Sequence, residues 1–522
     1  MKVPAGLGIF SVLWISLFWG GCVAIPLGFI LASALGANSS VALTDPVVLA
    51  VALTTLKQAV WSTFFSGFFG LFLGEWLGRY LGSRVRSRML TLFTIPYGVP
   101  TVVAGMAWVV CLGRAGWLAK IGIHSDWAYS LKAVILAHSF FNIPWVALIV
   151  AQTRRFLPVD QLEAARTLGA GPFSIFRFVI WPHIRWSFAS ACAQVMSLCA
   201  MSFALVLILG GGPPVQTLET ELYARLRYGS LDMGGAVSCA FWQLLITLAP
   251  WALVLVFKSK QPALISLSST RRPKKSSGGL GLLLAMTGMF FLIPYFAVIN
   301  SQLIKIISVG EWREQISAPL RLSLALAFYS SLGAVATAFL GVLSLRAMKR
   351  WPVLKSMTEI LIGIPGGISV LVLSLGVWLA YGKWFDPFEG SFLAMVALQT
   401  TLFFPVAFRI FWPLSQSLRL RELEAAVSLG ASEFSAFWWV EFPRWRGPIL
   451  SALAAVAGAS LGEVGAVSLF YSEKLIPLPL LVSRWMEQYH FEEAQGIAGL
   501  LFLLSSFLIV GSLEAGNKFS TS

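Results

Sequence analysis

The sequence predicts an all-α polytopic membrane protein, about twelve transmembrane helices arranged as two parallel six-helix repeats. Three observations predict it. The chain has 522 residues, of which 57% are hydrophobic and only 12% charged, and its mean hydropathy is +0.79, a balance foreign to soluble domains. Its apolar runs often reach the length that a helix needs to cross about 30 Å of hydrocarbon. Finally, Glu163-Ala164-Ala165, followed by Gly169 and Pro182, recurs as Glu424-Ala425-Ala426, followed by Gly430 and Pro443. The offset is 261 residues (Glu163 to Glu424), half the chain.

Taken in order, the spans of the first half are expected at about 8–34, 50–77, 89–112, 132–152, 187–210 and 236–257. Those of the second half are expected at about 280–299, 321–345, 356–381, 392–412, 449–471 and 494–513. The run from Leu7 to Leu35 exceeds a signal-peptide core, so an uncleaved first span is expected despite Lys2 and the Ala-Ser-Ala near position 33. A basic, Gly/Ser-rich stretch at 258–279 divides the halves 1–257 and 280–522. The repeat extends beyond the motif: Ile143-Pro144 matches Phe404-Pro405 and Ser190-Ala191 matches Ser451-Ala452. Ile95-Pro96 matches Ile364-Pro365 at an offset of 269, so an outer loop is eight residues shorter in the second half. An even number of spans in each half gives both the same orientation.

The net charge of +15 would point to nucleic acid in a soluble chain. Here the basic residues lie between apolar runs. With Lys2 inside, 26 of the 38 Lys and Arg fall on one side, so both termini and both Glu-Ala-Ala segments are expected in the cytoplasm. Cys22, Cys111, Cys192, Cys199 and Cys239 sit in apolar runs without metal-ligand spacing and read as packing residues. No phosphate-cradling Gly-x4-Gly-Lys-Ser/Thr, nucleophile elbow or His-Glu-x-x-His occurs, and the four histidines are scattered. The chain is therefore expected not to be an enzyme, to bind no metal and to need no cofactor. His138 reads as a packing or hydrogen-bonding residue.

Each motif segment, about 158–186 and 419–447, is expected to open with a short helix. In the first copy Pro158 precedes a capping-box-like Asp160 and Glu163, and Leu162, Ala165 and Leu168 form an apolar stripe. Gly169 takes the left-handed position that ends the helix. The second copy has Leu423, Ala426, Leu429 and Gly430 but no clean cap. Glu463 is expected inside the eleventh span, where a carboxylate is costly. It either lines a central path and favours a cation or serves as an interhelical hydrogen-bonding group. Glu75 and Arg409 are expected to snorkel or to touch the motif segments. Trp14, Trp61, Trp108, Trp145, Trp181, Trp351 and Trp378 read mostly as interface anchors, and Pro26, Pro96, Pro144, Pro365 and Pro405 as kinks.

The pattern Glu-Ala-Ala, three residues, Gly and a distal Pro resembles the signature of permease subunits of bacterial ABC importers. The resemblance covers nearly the whole chain and is closest to permeases that fuse both halves, those for thiamine and for ferric iron. Leu136 to Pro144, Gly113 to Leu118, Leu209 to Pro213 with Thr217-Leu218-Glu219, and Ser460 to Phe470 resemble the thiamine type. The complete Glu-Ala-Ala of the first half departs from that type. The resemblance implies that Glu163, Ala164, Ala165, Gly169, Glu424, Ala425, Ala426 and Gly430 couple to two separate ATPase subunits in the cytoplasm. It also implies a periplasmic or extracellular substrate-binding protein and a bacterial plasma-membrane location. Ferric iron or another small solute remains the alternative substrate, and an ion-coupled carrier of the major facilitator type the alternative class.

Overall fold

The computed structural model describes the chain except for residues 1–3, 37–42, 81–92, 94–98, 114–115, 123–126, 155, 211–214, 229–230, 260–285, 300–302, 304–309, 418–419 and 521–522. Most of the 258–279 linker, Pro96 and part of the first two spans' outer connections lie outside the described residues. The first half comprises α1 (Ala5–Trp19), α2 (Ile25–Leu35), α3 (Pro46–Tyr80), α4 (Thr101–Leu112), α5 (Leu131–Arg154), α6 (Val159–Thr167), α7 (Pro172–Ile175), α8 (Trp181–Ala200), α9 (Ala204–Gly210), α10 (Leu218–Arg227) and α11 (Met233–Ser259). The second comprises α12 (Ile293–Phe296), α13 (Gly310–Ala347), α14 (Pro352–Gly363), α15 (Val370–Tyr381), α16 (Phe392–Ser417), α17 (Leu420–Ser428), α18 (Glu433–Ala436), α19 (Phe442–Ser460), α20 (Gly465–Ser468), α21 (Leu478–Glu487) and α22 (Phe491–Ser520). Among the described residues the only β-pairing is an isolated bridge, Ser472 to Leu475.

Among the described residues eight helical stretches are long and apolar enough to cross a membrane, and two bent pairs raise the number to ten; the expected spans 280–299 and 449–471 are not among them. The expected spans 187–210 and 356–381 are those pairs. The helix through Ala200 turns by 62° into α9, and the helix through Gly367 turns by 103° into α15. Such breaks are tolerated at membrane depth where the freed backbone groups are buried in protein.

Proline explains a second irregularity. Widened π-turns at Gly20–Ala24, Phe176–Ile180 and Phe437–Glu441 each end two residues before a proline, Pro26, Pro182 or Pro443. Proline has no N–H to donate, and its ring collides with the carbonyl four residues back. The preceding residue instead donates five residues back: Ile25 to Gly20, Trp181 to Phe176 and Phe442 to Phe437. Pro144 and Pro405 lie inside α5 and α16.

The halves exchange their first helices. Helix α1 packs on α13: Trp14 Nε1 reaches Thr337 Oγ1 at 3.4 Å, and Phe18 meets Phe404 edge-on at 5.4 Å. Trp19 Nε1 donates to the Leu361 carbonyl at 3.1 Å, and the Tyr381 hydroxyl to the Gly21 carbonyl at 2.7 Å. Conversely, Phe290 and Phe291, at the start of the second half, pack on Phe140 of α5. The largest apolar core is drawn from both halves, with Val102, Ile208 and Ala240 beside Leu371, Val467 and Phe470. Two smaller cores flank it at the motif end: Val146, Ile184 and Val195 in one half, Ala407, Trp445 and Val456 in the other. These two triplets match at the 261-residue offset.

Helix α3 turns one side to lipid and one to protein. Trp61, Phe64, Phe65, Phe68, Phe69 and Phe72 are exposed, as suits a chain bathed in hydrocarbon. Gly70, Gly74 and Gly78 lie against α5, where a Cβ on Gly74 would stand 2.6 Å from the Ala147 carbonyl oxygen. This small-residue row lets the two helices approach closely.

Candidate functional site: two exposed docking hairpins

Each repeated motif folds into a short helix, a glycine turn and a second helical turn. In the first, Gly169 has φ 76°, and its N–H donates to Arg166 O at 2.9 Å while Ala170 N–H donates to Ala165 O at 3.0 Å. In the second, Gly430 has φ 92°, its N–H donates to Val427 O at 3.0 Å, and Ala431 N–H donates to Ala426 O at 3.0 Å. This is the Schellman closure, and its left-handed residue is glycine because a Cβ is disfavoured there. The chain then enters α7 behind Gly171, or α18, where the Ser432 hydroxyl accepts from Ser435 N–H.

Two expectations are corrected. The capping box does not form: the N-terminal cap of α6 is Pro158, with no side-chain hydrogen bond, and Asp160 lies within the first turn. Nor is the apolar stripe buried as a whole. Leu162 is 2% exposed and anchors α6 in the first-half core, whereas Leu168 is 87% exposed. Its counterpart Leu429 is 89% exposed, and Phe173 and Phe434, again 261 residues apart, are 74% and 62% exposed. Glu163 and Ala164 are exposed and Ala165 is half-buried, as are Ala425 and Ala426 respectively; the side chain of Glu424 lies outside the described residues. Exposed leucine and phenylalanine at matched positions on a turn are unusual unless a partner covers them. Sequence periodicity missed them because stripe spacing does not say which end of the stripe is covered.

The helices beneath the hairpins are fixed by charge. Glu75 pairs with Arg154 and, at 2.9 Å, with Arg79, rather than reaching the motif segments. In the other half Arg346 forms a two-pronged pair with Glu441, which also accepts from Trp445 Nε1 at 3.3 Å. On the second hairpin Arg444 pairs with Glu422, and Trp438 stacks on Phe442 at 4.6 Å. Arg409 lies over the Trp251 ring at 5.9 Å.

At the opposite end, α10 and α21 occupy equivalent places. Leu218 N–H is capped by Thr55 Oγ1 at 2.9 Å, and Leu478 N–H by Ser323 Oγ at 2.8 Å. Arg225 binds Glu221 at 2.7 Å, Asp232 at 2.8 Å and Asp45 at 3.2 Å. Arg227 crosses to the other half, donating to the carbonyls of Ser468 (3.2 Å), Leu469 (3.0 Å) and Tyr471 (2.8 Å) and lying over the Tyr471 ring at 4.2 Å. The Tyr228 hydroxyl donates to Glu487 at 2.8 Å. Burial first, then the Glu487 charge, push that phenol above its ordinary value, so it stays a donor. The Arg227 and Tyr228 contacts join the two halves at the end away from the hairpins, and nothing in the spacing of Arg227 announced them.

Glu463 is not inside a helical span. Helix α19 ends at Ser460, and Glu463 occupies the following turn, deep in the protein yet partly accessible. Its Oε1 accepts from Gly465 N–H at 2.7 Å and Ala466 N–H at 3.3 Å. His138 meets Gln58 at 2.6 Å, the hydrogen-bonding role expected of it.

A polytopic helical protein with two matched exposed hairpins around a shared core has the form of a transport permease built on a duplicated plan. Comparison with known proteins gives the class a family. The profile of the binding-protein-dependent transport system inner membrane component matches residues 66–264 and again 333–515. The chain belongs to that family, and it carries the family unit twice. Both matches begin after the exchanged first helices. The chain is 28% identical over 475 residues to the thiamine transport system permease protein of Brucella abortus strain 2308, covering 88% of this chain and 86% of that one. The corresponding protein of Haemophilus influenzae is 28% identical over 433 residues, covering 80% of each. That of Escherichia coli K12 is 27% identical over 447 residues, covering 82% and 81%. A sulfate transport system permease protein of Synechocystis is 32% identical over 173 residues, covering 30% of this chain and 58% of that one.

Proposed function

We propose that this chain is the whole membrane pathway of an ATP-driven importer whose substrate is thiamine. Halves of about 1–257 and 280–522, joined by the 258–279 linker, form one path. Both termini and both hairpins face the cytoplasm, in accord with 26 of 38 basic residues on that side. Two separate ATPase subunits dock there, one on each hairpin, through Glu163, Ala164, Ala165 and Gly169 and through Glu424, Ala425, Ala426 and Gly430. A substrate-binding protein delivers its cargo at the opposite end, where α10 and α21 meet. Closing of the ATPase pair draws the hairpins together, and the helices carrying them release the Arg227 contacts and open the outer end.

The observation that carries the reading is the pair of matched apolar residues, Leu168 with Phe173 and Leu429 with Phe434, exposed on two hairpins of one chain. The relatives named for thiamine transport systems favour thiamine over ferric iron. Coexpression with the ATPase and binding protein tests both parts. Two ATPase copies should copurify with each chain, and thiamine-loaded binding protein should stimulate ATP hydrolysis and uptake. Uptake that stops when the proton gradient is collapsed at constant ATP would instead favour an ion-coupled carrier.

A further inference from the structure

Four carboxylates are buried among the described residues: Glu75, Glu219, Glu221 and Glu441. Three of them sit on an arginine, Glu75 on Arg154, Glu221 on Arg225 and Glu441 on Arg346. Glu219 is 1% exposed and takes part in no ion pair among the described residues. Its Oε1 accepts from Gln243 Nε2 at 2.7 Å, while Oε2 has no hydrogen-bond partner. Gln243 spends its other contact on the Ala200 carbonyl at 2.8 Å, at the break between α8 and α9, and its own Oε1 is also unpartnered. A buried carboxylate left this way is expensive unless a cation neutralises it.

The residues around Glu219 come from the other half. Ser369, in the break that precedes α15, is beside Glu219, and the next residue, Val370, packs on the turn of Glu463: a Cβ on Gly465 would stand 2.4 Å from Val370 Cγ1 and 3.1 Å from Glu463 Oε1. Glu463 itself is turned by two backbone N–H groups, and like Glu219 it has no arginine. The turn that carries it abuts the first half: a Cβ on Gly462 would stand 2.2 Å from Pro100 Cβ. Two carboxylates, one from each half, thus lie on either side of the Ser369–Val370 break where helices are interrupted, the setting in which transporters of repeated architecture hold charged cargo.

The geometry points to a cation-binding subsite in the path, formed by Glu219 and Glu463 together, that takes an organic monocation in transit. Two carboxylates with Gln243 and Ser369 beside them supply neutralising charge and hydrogen-bond acceptors. They do not supply the three or more ligating side chains that a dehydrated metal ion demands, and no such group occurs among the described residues. The thiazolium ring of thiamine carries a fixed positive charge, so this inference rests on the substrate reading above and extends it to a second carboxylate.

The test uses the full transporter, with its ATPase and binding protein, in proteoliposomes supplied with radiolabelled thiamine. Glu219→Gln, Glu463→Gln and the double variant are compared with the wild type. Uptake should fall about tenfold in each single variant, while ATP hydrolysis stimulated by thiamine-loaded binding protein stays within about twofold of wild type. Wild-type uptake that persists unchanged in the double variant overturns the subsite alone. Loss of uptake together with loss of stimulation marks a structural role and overturns it as well. A wild type that neither imports thiamine nor responds to it overturns the substrate reading and the subsite with it.

Discussion

Around Pro182 the first half buries Ile180 and Ile184; around Pro443 the second half carries Glu441 and Trp445 at the matching positions. The backbone is the same, a π-turn followed by a helix, yet the first site is apolar and the second holds an ion pair with Arg346. The first half has its own buried pair elsewhere, Glu75 with Arg154, and the counterpart of Arg154 at the 261-residue offset is Ser415. Duplication has therefore kept the helix plan and let the charges migrate. What both halves retain is a buried carboxylate–arginine clasp that fixes the helices beneath each hairpin. A clasp in a membrane protein's interior resists sliding of helices because separating it strands a charge.

The sharpest way to break this comparison is at the hairpin tips. Leu168→Asp and Leu429→Asp should each lower ATP-dependent uptake by about tenfold or more, since buried apolar anchors dominate interface energies. Insertion into the membrane, read by fractionation, should be unaffected. Equal losses would support equivalent docking, and an effect confined to one variant would show that the halves are used differently.

The clasps themselves should differ in strength. Arg346→Ala leaves Glu441 with only the Trp445 N–H and is expected to cost about 3–5 kcal/mol, the range for stranding a buried charge. Arg154→Ala should cost less, because Arg79 still reaches Glu75. Thermal unfolding in detergent compares the two; a lower midpoint for Arg154→Ala would reverse the assignment. At the other end, Arg227→Ala removes three hydrogen bonds across the seam. Basal ATP hydrolysis without binding protein should rise severalfold, and an unchanged basal rate would show that the outer contacts do not hold the resting state.

Smaller effects test the helix contacts. Gly74→Ala places a Cβ 2.6 Å from the Ala147 carbonyl oxygen and should destabilise by about 1–3 kcal/mol. The buried face of α13 in the second half carries Ala334, Ala338 and Val342 instead of a glycine row. Least costly to the fold should be Gly169→Ala and Gly430→Ala. A Cβ meets nothing within 4 Å at either site, leaving only the left-handed backbone penalty of about 1–2 kcal/mol. Helix content by circular dichroism should be unchanged in both.

Much of this was legible in the residues. Hydropathy located ten of the segments that cross, because crossing length and lipid exposure are local properties of a run. The glycine that ends each hairpin helix was readable too, since a left-handed turn is a one-residue demand. The spacing of Leu162, Ala165 and Leu168 was also correct as a helix pattern, but it could not tell the buried end from the exposed one.

The sequence by itself determined the helices and their duplication, both consequences of short-range chemistry repeated along the chain. The tertiary structure alone decided that the first helices change places, that Arg227 joins the halves, and that Glu219 and Glu463 come to one region of the seam. Those pairings unite residues more than two hundred positions apart, and they depend on where helices bend and how the halves meet. No local pattern encodes them, because a carboxylate in a run of apolar residues looks the same whether its neighbour is an arginine, another carboxylate or nothing.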